Sequence, residues 1–204
     1  MRIKNPSLWR VAILAAVVAL ALACPRVRPL RIIFNQGAIG ANANYSELEY
    51  SDFFGGVLQM ADDFELTDDN HIVTHVRWWG VYRNNVPADD EFTIFAYEIY
   101  DPEPQSHPWY EYTSTEAART ATASTITWGM DTLTVYEYNL DIPDGEFVPD
   151  TPYALSIVNN TGRWAWVVNG STTQGNDVGW ARTEEYGDWV TNGIDYAFVL
   201  WSDR

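Results

Sequence analysis

The residues with the richest chemistry lie in segment 59–82, QMADDFELTDDNHIVTHVRWWGVY, two apolar, aromatic-rich runs separated by aspartates. Read as an extended chain, Met60, Asp62, Phe64 and Leu66 share one face, while Asp63 and Glu65 take the other. Asp62 is therefore an acid on the apolar side. A carboxylate facing inward is costly unless it is hydrogen-bonded or holds a cation. Two roles stay open for it. It can accept backbone N–H bonds at a strand end, as buried polar groups commonly do. It can also ligate calcium, which favours clustered carboxylate and carbonyl oxygens. The same parity puts His71 and His75 on one face. In a strand they would stand roughly 13 Å apart, too far to hold one metal together. They read as surface histidines, and His107, between Ser106 and Pro108, has only loop context.

Acid–base catalysis of glycoside hydrolysis needs two carboxylates across a cleft. Glu98, on the face of Phe92, Ile94 and Ala96, and Glu137, beside Leu133 and Val135, are the candidates. With 28 acidic residues in the chain, finding two that could pair says little. No serine elbow, phosphate-cradling glycine loop or cysteine metal pattern is present. The residues assign no catalytic group, and the chain reads as non-enzymatic.

The aromatics are more informative. Ten tryptophans and twelve tyrosines in 204 residues are many. Exposed aromatic rings stack on sugar faces, because axial C–H groups are weakly positive and the ring face is negative. Filling a core is the competing role for each ring. Strand parity assigns Trp78, Trp164 and Trp166 to the core and puts Trp79 on the opposite face. Trp128, Trp180 and Trp189 lie near loops and turns, where an open platform can form. The candidate ligand contacts are thus Trp79, Trp128, Trp180 and Trp189.

The elements that must position these side chains are short strands. Alternating or apolar runs occur at 30–35, 56–66, 72–82, 92–100, 109–113, 125–128, 133–140, 153–158, 163–169, 178–182, 188–190 and 195–201. Turn residues separate them, as at Asn84-Asn85 and at Asn159-Asn160-Thr161-Gly162. Segment 36–54 reads as a Gly/Ala/Asn-rich loop, and 101–108, with three prolines, as another loop. Segment 116–123, EAARTATA, has helix-favouring composition but is short and lacks an apolar stripe, so it reads as loop or a single turn. About ten strands without a convincing helix predict an all-β chain, one antiparallel β-sandwich or jelly roll.

Residues 1–23 stand apart. Arg2, Lys4 and Arg10 precede an unbroken apolar run that closes on Ala21-Leu22-Ala23, a small-x-small cleavage pattern. This has the flanks of a secretion signal and is too short for a comfortable membrane span. Cys24, the only cysteine, follows directly. Its position suggests the lipobox of bacterial lipoproteins, although Ala21 stands where that motif usually has Leu. Lipidation at Cys24 and simple cleavage beside an incidental cysteine both remain open. The expected organisation is a signal peptide at 1–23, a spacer at 24–30 and a β-sandwich domain at 31–204. The expected location is extracytoplasmic, secreted or lipid-anchored at the bacterial cell surface, with the membrane met only through Cys24. Beyond Cys24, nine arginines against 28 acids leave a net −19. No basic patch is visible, which argues against nucleic acid. Such acidity suits solubility, a saline environment or uptake of divalent cations.

The segments QMADDFEL, THVRWWGVY, TPYALSIVNNTGRWAWVV and DYAFVLW together resemble a group of secreted bacterial β-sandwich domains of unknown function. Those carry an ADDF strand, a Trp-Gly-Tyr strand, a YxLSIxN…WxW hairpin and a DxAFxL final strand. The similarity spans most of residues 31–201, and in outline such domains look like jelly-roll carbohydrate-binding modules. Some members carry a C-terminal sorting tail, whereas this sequence ends at WSDR. In jelly-roll modules a structural calcium often joins an early strand to the last one. By that resemblance Asp62 or Asp63, with Asp195, would be the matching ligands. A glycan or matrix polymer is the implied partner. A structural or adhesive protein with a protein partner is the second reading, and a jelly-roll hydrolase using Glu98 and Glu137 the third.

Overall fold

The computed structural model describes residues 29–46, 58–67, 69–83, 86–100, 102–170, 178–183 and 187–204. The signal segment and Cys24 lie outside the described residues. Among the described residues there are fourteen strands and no helix. They are β1 (Arg31–Asn35), β2 (Ile39–Tyr45), β3 (Gln59–Glu65), β4 (Ile72–Tyr82), β5 (Phe92–Tyr100), β6 (Glu103–Pro104) and β7 (Tyr110–Ser114). The second half contributes β8 (Ala118–Trp128), β9 (Asp131–Glu146), β10 (Pro152–Asn159), β11 (Trp164–Asn169), β12 (Gly179–Arg182), β13 (Val190–Thr191) and β14 (Phe198–Ser202).

All pairings are antiparallel, in two seven-stranded sheets. In the first sheet β4 is central. One edge pairs with β9, which pairs onward with β8. The other edge pairs with β14 along its first half and β11 along its second, and these lead to β1 and β2. The second sheet runs β13-β12-β3-β10-β5, with β6 and β7 both on β5.

The facing sides of the sheets enclose an aromatic core. Trp78 stacks on Tyr138 with centroids 5.4 Å apart, and Phe92 of the second sheet meets Trp78, Tyr138 and Trp164 edge-on at 5.1, 4.9 and 5.3 Å. Edge-to-face and offset pairs of this kind add about 0.5–1.5 kcal/mol each beyond area burial. Gly80 makes room for this packing. A Cβ there would lie 2.0 Å from the indole nitrogen of Trp164.

Both sheets also carry buried side chains on their outer faces. The first sheet curls so that β8 packs beside β2, with the rings of Tyr45 and Trp128 5.0 Å apart. The curl covers a second apolar cluster that includes Trp79, Val81, Val135, Val167 and Val199. On the outer face of the second sheet Tyr97, Trp180 and Trp189 form a third. The two sheets are thus sandwich-like, with buried side chains on their outer as well as their facing sides.

Segment 116–123, read as loop or a single turn, is instead mostly the first half of β8, held by backbone pairing with β9. Segment 36–54, read as loop, contains β2. Segment 101–108 contributes the two-residue β6. In β4 the alternation holds from His75 onward, but a register shift between Val73 and His75 reverses it. Val73 therefore joins Val76 and Trp78 in the core, and the strand alternation that grouped His71 with His75 is broken between them.

Candidate functional site

Asp62 lies in β3 between Leu155 of β10 and Gly179 of β12 and is fully buried. Its side chain reaches across to the first sheet. One oxygen accepts the amide of Tyr196 at 2.5 Å, and the other accepts the amide of Asp63 at 2.9 Å. Tyr196 bridges Val168, and the carbonyl of Asp195 accepts the amide of Asn169 at 2.8 Å, so this segment enters β14 already tied to β11. Asp62, Asp63 and Asp195 bring one carboxylate oxygen each to within 4.8 Å of one another. Oxygens bound to one calcium at about 2.4 Å can be up to roughly 4.8 Å apart, so the donor set has the chemistry and spacing of a hard-cation site. Burial holds the Asp62 carboxyl well above the usual range. The amide of Tyr196 opposes that shift, and the charges of Asp195 and Asp63 add to it. An early strand of one sheet thus meets the lead-in to the last strand of the other through three acids.

The four tryptophans chosen from the sequence do not form one surface. Trp79, Trp180 and Trp189 are 6, 2 and 3% exposed. Their positions on outer faces or beside loops do not leave them open, because the curl of the first sheet covers Trp79 and the third cluster encloses the other two. Trp189 donates its indole N–H to the carbonyl of Gln105 at 3.1 Å, and the Arg182 guanidinium lies 4.4 Å from its ring centroid. Trp128 is half-buried against Tyr45 and borders a hollow of about 170 Å³ with Asn42 and Thr127.

Among the described residues the exposed indole is Trp109, at 57%. It precedes β7 and is fixed by its amide, which donates to the carbonyl of Ala96 at 2.7 Å. It lines a groove of about 320 Å³ with His71, Glu146, Phe147, Val148 and Pro149. The walls are well tethered. The amide of Phe147 donates to the carbonyl of His71 at 2.9 Å, and the amide of Val148 to the hydroxyl of Tyr153 at 3.1 Å. Tyr110 beside it donates its hydroxyl to the carbonyl of Pro143 at 3.0 Å, and burial pushes that phenol up to about 12. Two apolar rings, one imidazole and one carboxylate thus border a volume at the lower end of small-ligand pockets. In the sequence Trp109 is marked by its place right after Pro108, the last residue of the proline-rich stretch 101–108.

Glu98 and Glu137 are not brought together. Glu98 is in β5 of the second sheet, opposite Tyr153. Glu137 is in β9 of the first, with its parity neighbour Val135 in the outer cluster. Glu98 lies on the inter-sheet side of its strand, whereas Glu137 lies on the outer side of the other sheet.

No known protein family, curated protein or solved structure matches this chain.

Proposed function

We propose that this chain is a non-enzymatic, extracytoplasmic β-sandwich module that binds a glycan or matrix polymer through an exposed aromatic, and that Cys24 is its lipid anchor when it stays at the surface. The observation that carries the reading is the Trp109 groove, where an open indole sits beside His71 and Glu146. The ring supplies a stacking face, and the carboxylate and imidazole supply acceptors and donors for sugar hydroxyls. The signal-like segment 1–23, the cysteine after it and the outline shared with jelly-roll carbohydrate-binding modules support the same reading.

Within it, Asp62, Asp63 and Asp195 hold a structural calcium that ties β3 to the approach to β14. The 4.8 Å clustering of their oxygens supports this. The ion would offset the repulsion of three carboxylates and the burial of Asp62. Equal melting temperatures in chelator and in millimolar calcium would remove the ion from the account.

The second reading is a structural or adhesive protein with a protein partner. The burial of Trp79, Trp180 and Trp189 favours it, since those rings are spent on packing. A glycan-array screen of the mature chain, with and without calcium, separates the two. The binding reading expects retention on a defined set of glycans and its loss in Trp109→Ala. A blank array favours the second, and hits unchanged by that substitution remove the Trp109 groove from the account.

A further inference from the structure

Beyond the groove, the outer face of the first sheet carries a polar row in which each side chain orients the next. His75 Nδ1 is 2.7 Å from Asp141 Oδ1. Arg77 Nε donates to Asn139 Oδ1 at 2.8 Å, and Asn139 Nδ2 donates to Glu137 Oε1 at 2.9 Å. The Arg77 guanidinium lies 5.1 Å from the centroid of the half-buried Trp201 ring. Arg77 and Glu137 are anchored through one atom each. The two terminal nitrogens of Arg77 and Oε2 of Glu137 have no hydrogen-bond partner among the described residues. Their side chains are 33 and 29% exposed, so these atoms are within reach of a ligand.

From this we infer a second binding site, separate from the Trp109 groove, that takes a neutral pyranose through a pair of adjacent hydroxyls. The planar fork of Arg77 presents parallel N–H donors, which match either a carboxylate or two neighbouring oxygens. Glu137, 3.6 Å from Arg77 Nε, decides between them. Its carboxylate and that of Asp141 repel a second anion, whereas a hydroxyl can accept from Arg77 and donate to Glu137 at once. The Trp201 ring beside the guanidinium limits its movement, so that less side-chain freedom is lost on binding. An isolated surface ion pair would be worth little. Here the row's value is that it pre-orients a donor fork beside an acceptor.

The test uses the mature chain carrying Trp109→Ala, so that the groove cannot contribute. Arginine Nε–H and indole N–H signals are followed by NMR as methyl β-glucopyranoside, methyl α-mannopyranoside or galacturonate is added at millimolar concentration. At least one neutral glycoside is expected to shift the Arg77 and Trp201 signals, with galacturonate at least fivefold weaker. Arg77→Lys, which keeps the charge and stem but loses the fork, and Glu137→Gln are each expected to weaken binding about tenfold with the fold's spectrum intact. The inference is overturned if neither neutral glycoside moves those signals, if galacturonate binds more tightly, or if Arg77→Lys binds as the parent does. Each of these results leaves the Trp109 reading standing, since that reading is tested with Trp109 present.

Discussion

Asp90 and Asp62 are both buried acids that tie strands together, and they are compensated differently. Asp90, just before β5, meets the Arg119 guanidinium at 2.7 Å and the Tyr82 hydroxyl, with Asn159 also donating to it. Arg119 in turn lies over the rings of Tyr82 and Tyr136. One negative charge is answered by one positive charge and by neutral donors. Asp62 has two backbone amides, and the charges acting on it, Asp195 and Asp63, are both negative. The first site is complete with its own side chains. The second gains from a positive charge supplied from outside, as a proton or a cation.

The sharpest way to break this comparison is Asp90→Ala. It strands Arg119, and removing one partner of a buried pair costs about 3–5 kcal/mol. Urea unfolding is expected to show that loss equally in calcium and in chelator. A loss under about 1 kcal/mol would mean that the pair is not the tie it resembles. Next in size is calcium itself. At a hundredfold excess over its Kd, an ion bound only by the folded state adds about 2.7 kcal/mol. That gain is expected to vanish in Asp62→Asn and Asp195→Asn and to persist, from a lower baseline, in Asp90→Asn.

Acidity sharpens the contrast further. The folded-state pKa of Asp62 is raised, so its contribution is fully present below the ordinary Asp range near pH 4 and is lost as pH rises through the raised value. In chelator, the stability of the parent relative to Asp62→Asn is therefore expected to increase from neutral pH downward. Calcium should flatten that slope. A relative stability that falls on acidification would contradict the assignment. Smallest of all is Trp109→Ala, which sits away from both acids and on the surface. It should alter stability by no more than about 0.5 kcal/mol, against about 3–5 kcal/mol for Trp180→Ala in its buried cluster.

Much of the fold is legible because the inter-sheet face is continuous and apolar. The alternation in residues 75–82 places Trp78 inward and Trp79 outward, as found. The bulge before His75 leaves no mark in composition, so the grouping of the two histidines on one face is misread. β8 and β2 escape notice for a different reason. ARTATASTITW and IGANANY contain mainly small and polar residues, and their strand state comes from partners across the ladder rather than from their own side chains. The inward placement of Asp62 follows from parity alone. Its meeting with Asp195 crosses from one sheet to the other, which local pattern does not encode. Exposure of the tryptophans is hardest to read. A ring beside a loop is open or closed according to what packs over it, and here the curl of the first sheet and the Arg182–Trp189 contact close Trp79 and Trp189 while Trp109 stays open.

The most direct test of the binding account is fluorine NMR of the chain labelled with 5-fluorotryptophan, titrated with a glycan retained on the array. The Trp109 resonance is identified by its absence in Trp109→Phe. The account expects that resonance to shift in a saturable way while those of the buried Trp79, Trp180 and Trp189 stay in place. A bound glycan that leaves Trp109 unmoved, or that moves only the buried rings, would contradict it.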